Sequence, residues 1–240
     1  MLSDRRQLIL SALIEEYVSR ALPVGSRTLT ERYSLGVSPA TVRNDLSALE
    51  DAGFITQPHT SAGRIPTDAG YRAFVDELLN SDELVQEPLS GSMVEELRRS
   101  AAELDELLEQ TSSVLSRLTN CLSIVADSSG RPHRLGLGSL LMKPEFSDSS
   151  TLAPVVEMVE DTPALLQMLD RATAVAEDDL MVSIGTENAE SALRPVSVIA
   201  GTFGHGESEG IVAVIGPTRM NYEGVIRAVR TAQLVLNDDH

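Results

Sequence analysis

Three short helical stripes, each closed by turn residues, run through the first eighty residues and are followed by a hairpin and a fourth stripe. That order leaves few folds open. Leu10, Leu13, Ile14 and Tyr17 fall at i, i+3, i+4 and i+7, the mark of one buried helical face. Pro23-Val24-Gly25 ends this helix, and Ser26 is the expected N-cap of a short second one through Tyr33. Ser34-Leu35-Gly36-Val37 makes a tight turn. Ser38 caps a third helix with Pro39 at the favoured first position, and Val42, Leu46 and Leu49 point inward along it. Asp51-Ala52-Gly53 stops that helix. Phe54–Gln57 reads as a short strand, 59–63 as a polar loop and Arg64-Ile65-Pro66 as the return. A helix from near Thr67 buries Tyr71, Phe74, Val75 and Leu78. Three helices and a hairpin in this order are the pattern of a winged helix-turn-helix.

Residues 80–92 are polar and break the periodicity, so a domain boundary belongs there. Beyond it Val94, Leu97, Ala101, Leu104, Leu108, Thr111, Leu115 and Leu118 repeat with 3-4 spacing, a continuous seam on one side of a long helix. The seam serves either to lie on its own domain's sheet or to pair two chains. Apolar, partly β-branched runs at Leu122–Val125, Leu180–Ile184, Val196–Ala200 and Ile211–Ile215 are strand-length. Helices are expected around Ala153–Leu169 and Arg219–Leu236, the latter with a stripe of Tyr222, Val225, Ile226 and Val229. The organisation is therefore α+β: 1–80 a winged-helix domain, 81–120 a linker and long amphipathic helix, 121–240 a regulatory or dimerisation domain.

The formal charge of −17 argues at first against a nucleic-acid partner. The load is uneven, however. Residues 1–80 carry eight Arg and ten acids, a net of −2, whereas the remainder carries eleven Lys plus Arg against 26 acids, a net of −15. All basic residues of the first segment are Arg, the better bidentate partner for phosphate and guanine. If Val42, Leu46 and Leu49 face the core, Ala40, Asn44 and Ser47 lie opposite them, with Thr41 and Arg43 flanking. These small or hydrogen-bonding side chains suit close approach to base edges, Asn pairing with adenine and Arg with guanine. Alternatively Arg43 and Asn44 are ordinary surface residues of a structural helix. Ser26, with Arg27 and Thr28, and Ser38 open helices whose free N–H groups suit phosphate. Ser61 and Arg64, placed at the hairpin tip, suit a wing on a minor groove or its phosphates. His59 is either a further DNA contact or a solvated loop histidine.

Other chemistry is weakly represented. With Cys121 as the one cysteine there is neither an internal disulfide nor a cysteine-rich zinc site. The four His at 59, 133, 205 and 240 lack metal-ligand spacing, and no nucleophile, base and orienter stand together, so neither an enzyme nor a cofactor is expected. Gly136-x-Gly138 reads as a turn, and Pro217-Thr218-Arg219 as a helix start with a structural Arg or an anion site. No Trp and only eight Phe and Tyr together make the core aliphatic. The N-terminus lacks an apolar leader and no run nears the roughly 20 apolar residues that span a bilayer, so a cytoplasmic protein is expected, without a membrane partner.

Three segments carry a specific resemblance. Val24-Gly25-Ser26-Arg27-Thr28-Leu29, then Val37-Ser38-Pro39-Ala40-Thr41-Val42-Arg43-Asn44-Asp45, then Gln57 to Thr67 (QPHTSAGRIPT) resemble the N-terminal signature of the HrcA family of bacterial heat-inducible transcription repressors. Gly185-Thr186-Glu187-Asn188 and the run Ile215 to Tyr222 (IGPTRMNY) resemble that family's C-terminal end. The resemblance implies a homodimer that binds an inverted-repeat operator on double-stranded DNA upstream of chaperone operons, is released by heat stress and is kept competent by a GroEL-type chaperonin. It also implies a GAF-type C-terminal fold interrupted by an inserted dimerising domain. Between Asp127 and Phe146 this chain is shorter than the family pattern, so a truncated GAF-like domain is expected, lacking most of the insert and some of the sheet. Two rivals stay open: a winged-helix regulator whose GAF-like domain senses a small molecule, and a defective paralogue that folds without dimerising.

Overall fold

The computed structural model describes residues 2–59, 62–81, 104–174, 180–204, 206 and 209–237. Contacts divide the chain into two compact units, Met1–Ser81 and Asp82–His240.

In the first unit, α1 (Asp4–Arg20) ends on Ala21, whose φ of 56° turns the chain away while its N–H reaches the Tyr17 carbonyl. Next, α2 (Ser26–Arg32) is capped by Gly25 rather than by Ser26, which occupies the first helical position and is buried. The cap assignment from sequence is therefore corrected by one residue. α3 (Pro39–Asp51) starts as expected, the Ser38 hydroxyl accepting from the Thr41 N–H. Strands β1 (Ile55–Thr56) and β2 (Ile65–Pro66) pair antiparallel, and α4 (Asp68–Leu79) follows behind a Thr67 cap. Leu10, Leu13, Ile14, Leu29, Val42, Leu46, Leu49, Ile55 and Val75 form an aliphatic core. Tyr17, Phe74 and Leu78 are only half-buried, so the outer ends of the α1 and α4 stripes are shallower than their periodicity suggests. Among the described residues α4 packs mainly on α1 and β2.

The second unit is a five-stranded antiparallel sheet with helices on both faces. Its strands are β3 (Leu122–Ala126), β4 (Pro132–Leu135), β5 (Leu180–Ile184), β6 (Val196–Phe203) and β7 (Gly210–Pro217), in the order β4-β3-β7-β6-β5. This is a GAF-like α+β arrangement. The stretch between Asp127 and Phe146, expected to cost part of the sheet, supplies edge strand β4 and the short helix α6 (Leu137–Leu141). Between them Gly136 adopts a φ of +94°, and a Cβ there would stand 2.1 Å from Ser116 Oγ and 2.2 Å from the Cys121 carbonyl oxygen.

α5 (Leu104–Thr119) and α9 (Tyr222–Asn237) pack on one another and on the sheet. Leu108, Thr111 and Leu115 of the seam are buried against this unit's own strands, which decides between the two readings for the described part of the helix. Leu104 and Leu118 are 37% and 44% exposed. A 3-4 stripe drifts by about 20° per heptad on a straight helix, so its ends rotate off the sheet. Val94, Leu97 and Ala101 lie outside the described residues. Buried hydroxyls fasten these helices: Ser112 and Ser123 share a 2.9 Å hydrogen bond, and the Tyr222 hydroxyl joins Ser197 Oγ at 2.8 Å.

On the opposite face, Leu122, Ile124, Val198, Ala213 and Ile215 meet Val155 and Val159 of α7 (Ser149–Glu160) and Leu165 and Leu169 of α8 (Thr162–Thr173). The single helix expected over Ala153–Leu169 is two. Asp161 breaks it, its side chain capping α8 through the Ala164 N–H with Pro163 in the first turn. The helix expected from Arg219 begins at Tyr222, and Arg219 makes a 2.6 Å ion pair with Glu145, the structural role of the two considered.

Candidate nucleic-acid interface

The candidate interface is built on α3, whose two faces have opposite characters. Val42, Leu46 and Leu49 are fully buried, and Asp45 is buried beside them. Ala40, Arg43, Asn44 and Ser47 are exposed and Thr41 is half-buried. A step of 100° per residue separates these sets as the periodicity requires. Among the described residues no hydrogen bond or ion pair holds the Arg43 or Asn44 side chain. Ser47 Oγ donates to the Arg43 carbonyl at 3.2 Å, and Thr41 Oγ1 meets Ser38 Oγ at 3.0 Å. The start of α3 therefore presents short polar groups and two unpaired long ones, with Ser38 already engaged in capping.

The inner face anchors this helix through charge. Asp45 accepts from Arg5 Nε at 2.8 Å and Nη2 at 3.1 Å, and from Arg6 Nε at 3.4 Å. The Arg5 hydrogen bonds hold its carboxyl below the usual carboxylate range against the opposing effect of burial. Glu16 of α1, also buried, ion-pairs with Arg20 at 2.9 Å and with Arg32 of α2 at 3.4 Å. Both helices bracketing the turn are thus tied to α1.

The remaining site residues are not all where the sequence suggested. Arg27 and Thr28 stand in the first turn of α2, but Arg27 is exposed and paired with Glu31 at 2.7 Å, while Ser26 is buried. His59 is exposed at the start of the wing loop, and Ser61 lies outside the described residues. Arg64 is not at the hairpin tip. It sits just before β2, bonded through its backbone N–H and carbonyl to Val24 at 2.8 Å each, with its guanidinium on Glu50 of α3 at 2.9 Å. The reason is a close approach at Gly63: a Cβ there would lie 2.5 Å from the Val24 carbonyl carbon, so only glycine lets the wing return against the α1–α2 connection. Glu50 and Asp45 were not among the residues singled out from sequence. Their partners are 14 and about 40 residues away in the chain, a separation that periodicity does not reach.

Among the described residues no group of three or more His, Cys, Asp or Glu is placed to hold a metal ion, and no helix is long and apolar enough to cross a membrane. Burial pushes the Cys121 thiol up to about 11, against a nucleophilic role.

Comparison with known proteins agrees with this construction. A DeoR-like helix-turn-helix domain matches residues 12–67, the span that contains α2, α3 and the wing. The HrcA protein C terminal domain matches residues 75–226. A relative from Nocardioides sp., named heat-inducible transcription repressor HrcA, is 32% identical, the match covering 96% of each chain. One of the same name from Streptomyces avermitilis is 30% identical, again over 96% of each chain. These two alignments run over 326 and 333 positions, more than the 240 residues present here, so the relatives carry segments without a counterpart in this chain. A third, from Kineococcus radiotolerans, is 47% identical over 125 residues, 52% of this chain and 36% of its own. A crystal structure of a hypothetical protein shares the fold, with a TM-score of 0.81 over 99% of this chain and 98% of its own at 20% identity. A helix-turn-helix head, a GAF-like unit and full-length relatives of one kind together place this chain in the HrcA family.

Proposed function

We propose that this chain is a transcription repressor that reads an inverted-repeat operator as a homodimer, one α3 in each half-site, and leaves it on heat stress. The observation that carries the proposal is the outer face of α3, where Ala40, Thr41, Arg43, Asn44 and Ser47 face outward on a helix locked from behind by an aliphatic core and by Asp45. A side chain with no partner in the free protein is ready to meet a base edge without first breaking a bond. Arg43 and Asn44 read bases, Ala40 admits close approach, and Thr41 and Ser47 complete the polar edge. Arg27, Thr28 and the N–H groups behind Ser38 face phosphates, and His59 and Ser61 extend the contact along the wing.

The name borne by the family relatives supports repression and its heat dependence for this chain too. Two heads are needed because a single head makes few contacts, and linked binding raises the effective concentration of the second. A GroEL-type chaperonin is the proposed partner that returns the heat-released protein to the binding-competent form. The test is fluorescence anisotropy on an operator duplex selected with the full chain from a random-sequence library, before heating, after heating and after cooling with added GroEL. Tight binding that is lost on heating and regained with the chaperonin is the expected result. Binding that is independent of sequence, or unaffected by heat, would contradict it.

A further inference from the structure

We infer that Arg64 and Glu50 form a positioning clamp that sets the angle of the wing against the reading helix, so that Arg64 governs operator binding without touching DNA. This inference rests on the proposed reading of α3 and deepens it. Three parts of the head meet at Arg64. Its backbone N–H and carbonyl both bond to Val24 in the α1–α2 connection at 2.8 Å. Its Nε and Nη2 both donate to Glu50 Oε2, at 3.1 and 2.9 Å, in the last turn of α3. β2 begins at the next residue. The Arg64 side chain is 17% exposed, unlike that of Arg27 at 87%.

The neighbouring residues leave this node little freedom. Gly63 is pressed on the Pro23 and Val24 backbone with no room for a Cβ. Gln57 Nε2 donates to the Ala62 carbonyl at 2.7 Å, closing the wing loop on itself just before the node. β1 and β2 are two residues each, too few for the ladder alone to hold the hairpin's direction. The charged link to α3 supplies what the ladder lacks. Glu50 is an acid at the end of a helix that must approach phosphates, which makes sense if its task is to hold Arg64 and not to meet DNA.

The two roles for Arg64 give opposite signs at Glu50. A phosphate-binding Arg64 would be freed by Glu50→Gln, and removing the acid would strengthen binding. A clamp would be broken by it, and binding would weaken. The experiment measures the full chain, Glu50→Gln, Arg64→Ala and the charge exchange Glu50→Arg with Arg64→Glu, by anisotropy on the selected operator and on a random duplex across a salt series. Expected are a loss of about 5–30-fold in operator affinity for each single variant, and recovery of most of it in the exchange. The slope against salt should be unchanged for Arg64→Ala. A slope reduced by about 0.9, the value for one lost phosphate contact, with Glu50→Gln binding as well as or better than the parent, would overturn the clamp. Amide exchange at Val24 and Arg64 in folded Glu50→Gln is the second measurement: faster exchange supports the clamp and unchanged protection overturns it. A parent chain that binds no duplex at all would instead overturn the proposed function, and the clamp's role with it.

Discussion

Asp45 lies on the inward face of α3 and receives Arg5 of α1 through two hydrogen bonds of 2.8 and 3.1 Å, so the one acid inside the motif Thr41-Val42-Arg43-Asn44-Asp45 is neutralised behind the proposed reading surface. An uncompensated carboxylate there would both resist burial and oppose phosphate.

Asp45→Asn should therefore lower the stability of the N-terminal unit by about 1–3 kcal/mol at neutral pH, the range for disrupting a hydrogen-bonded buried group. The pH dependence has a definite sign. Arg5 holds the folded carboxyl below its ordinary value, so as acid is added the unfolded chain takes up the proton first. This contribution is present above the ordinary carboxylate value of about 3.9 and disappears as pH falls through the depressed one. Urea unfolding followed from neutral pH downward should show a flatter acid limb in Asp45→Asn than in the parent. Parallel curves would remove the Arg5–Asp45 link from the stability of the head.

Leu104 and Leu108 should behave differently although both belong to the same stripe. Leu108 is 1% exposed and Leu104 37%. Leu108→Ala should cost about 2–5 kcal/mol through the cavity it leaves, whereas Leu104→Ala should stay within about 0.5 kcal/mol of the parent. Thermal unfolding of the C-terminal unit reads this difference, and equal losses would place the whole stripe in the core.

Tyr222 and Ser197 offer an asymmetric test. Tyr222→Phe leaves the buried Ser197 hydroxyl without its 2.8 Å partner and the Thr218 carbonyl without the O–H it accepts at 2.7 Å, at a cost of about 1–3 kcal/mol. Adding Ser197→Ala removes one of the two stranded groups and should return part of that loss. Denaturant midpoints of the single and double variants measure it, and a double variant no better than Tyr222→Phe alone would show the hydroxyl to be satisfied elsewhere.

Gly136→Ala should destabilise the C-terminal unit on two counts. Its φ of +94° strains a side-chain-bearing residue by about 1–3 kcal/mol, and the new methyl would meet Ser116 Oγ and the Cys121 carbonyl. Calorimetry on the full chain should show a lower transition for this unit and an unchanged one for the head. An unshifted transition would mean that the turn relaxes without loss.

What the sequence made legible follows the physics of each element. The runs Leu122–Val125, Val196–Ala200 and Ile211–Ile215 announce β3, β6 and β7 because strands buried along their whole length are mostly apolar, and Leu180–Ile184 announces β5, an edge strand with a half-buried middle, through the same mostly apolar composition. Edge strand β4, Pro132-His133-Arg134-Leu135, is covered less completely and carries two polar side chains, so it left no such trace. The break at Asp161 was detectable, since Asp161-Thr162-Pro163 is a cap followed by a helix-opening proline, but the apolar periodicity running through it masked the signal. At the candidate interface, the split of α3 into inner and outer faces was readable from Val42, Leu46 and Leu49. The pairing of Arg64 with Glu50 was not, because it depends on how the hairpin folds back on the helix rather than on local pattern.

Arg43→Ala and Asn44→Ala, in full-chain binding to the selected operator and to a random duplex, test whether the outer face of α3 reads base sequence. Each variant is expected to lose about 1–3 kcal/mol of operator binding while its random-duplex affinity is kept within error, and the lost discrimination should map to particular base pairs in a mutated operator series. Equal losses on both duplexes would make these residues phosphate contacts, and unchanged binding to both would take α3's outer face off the DNA.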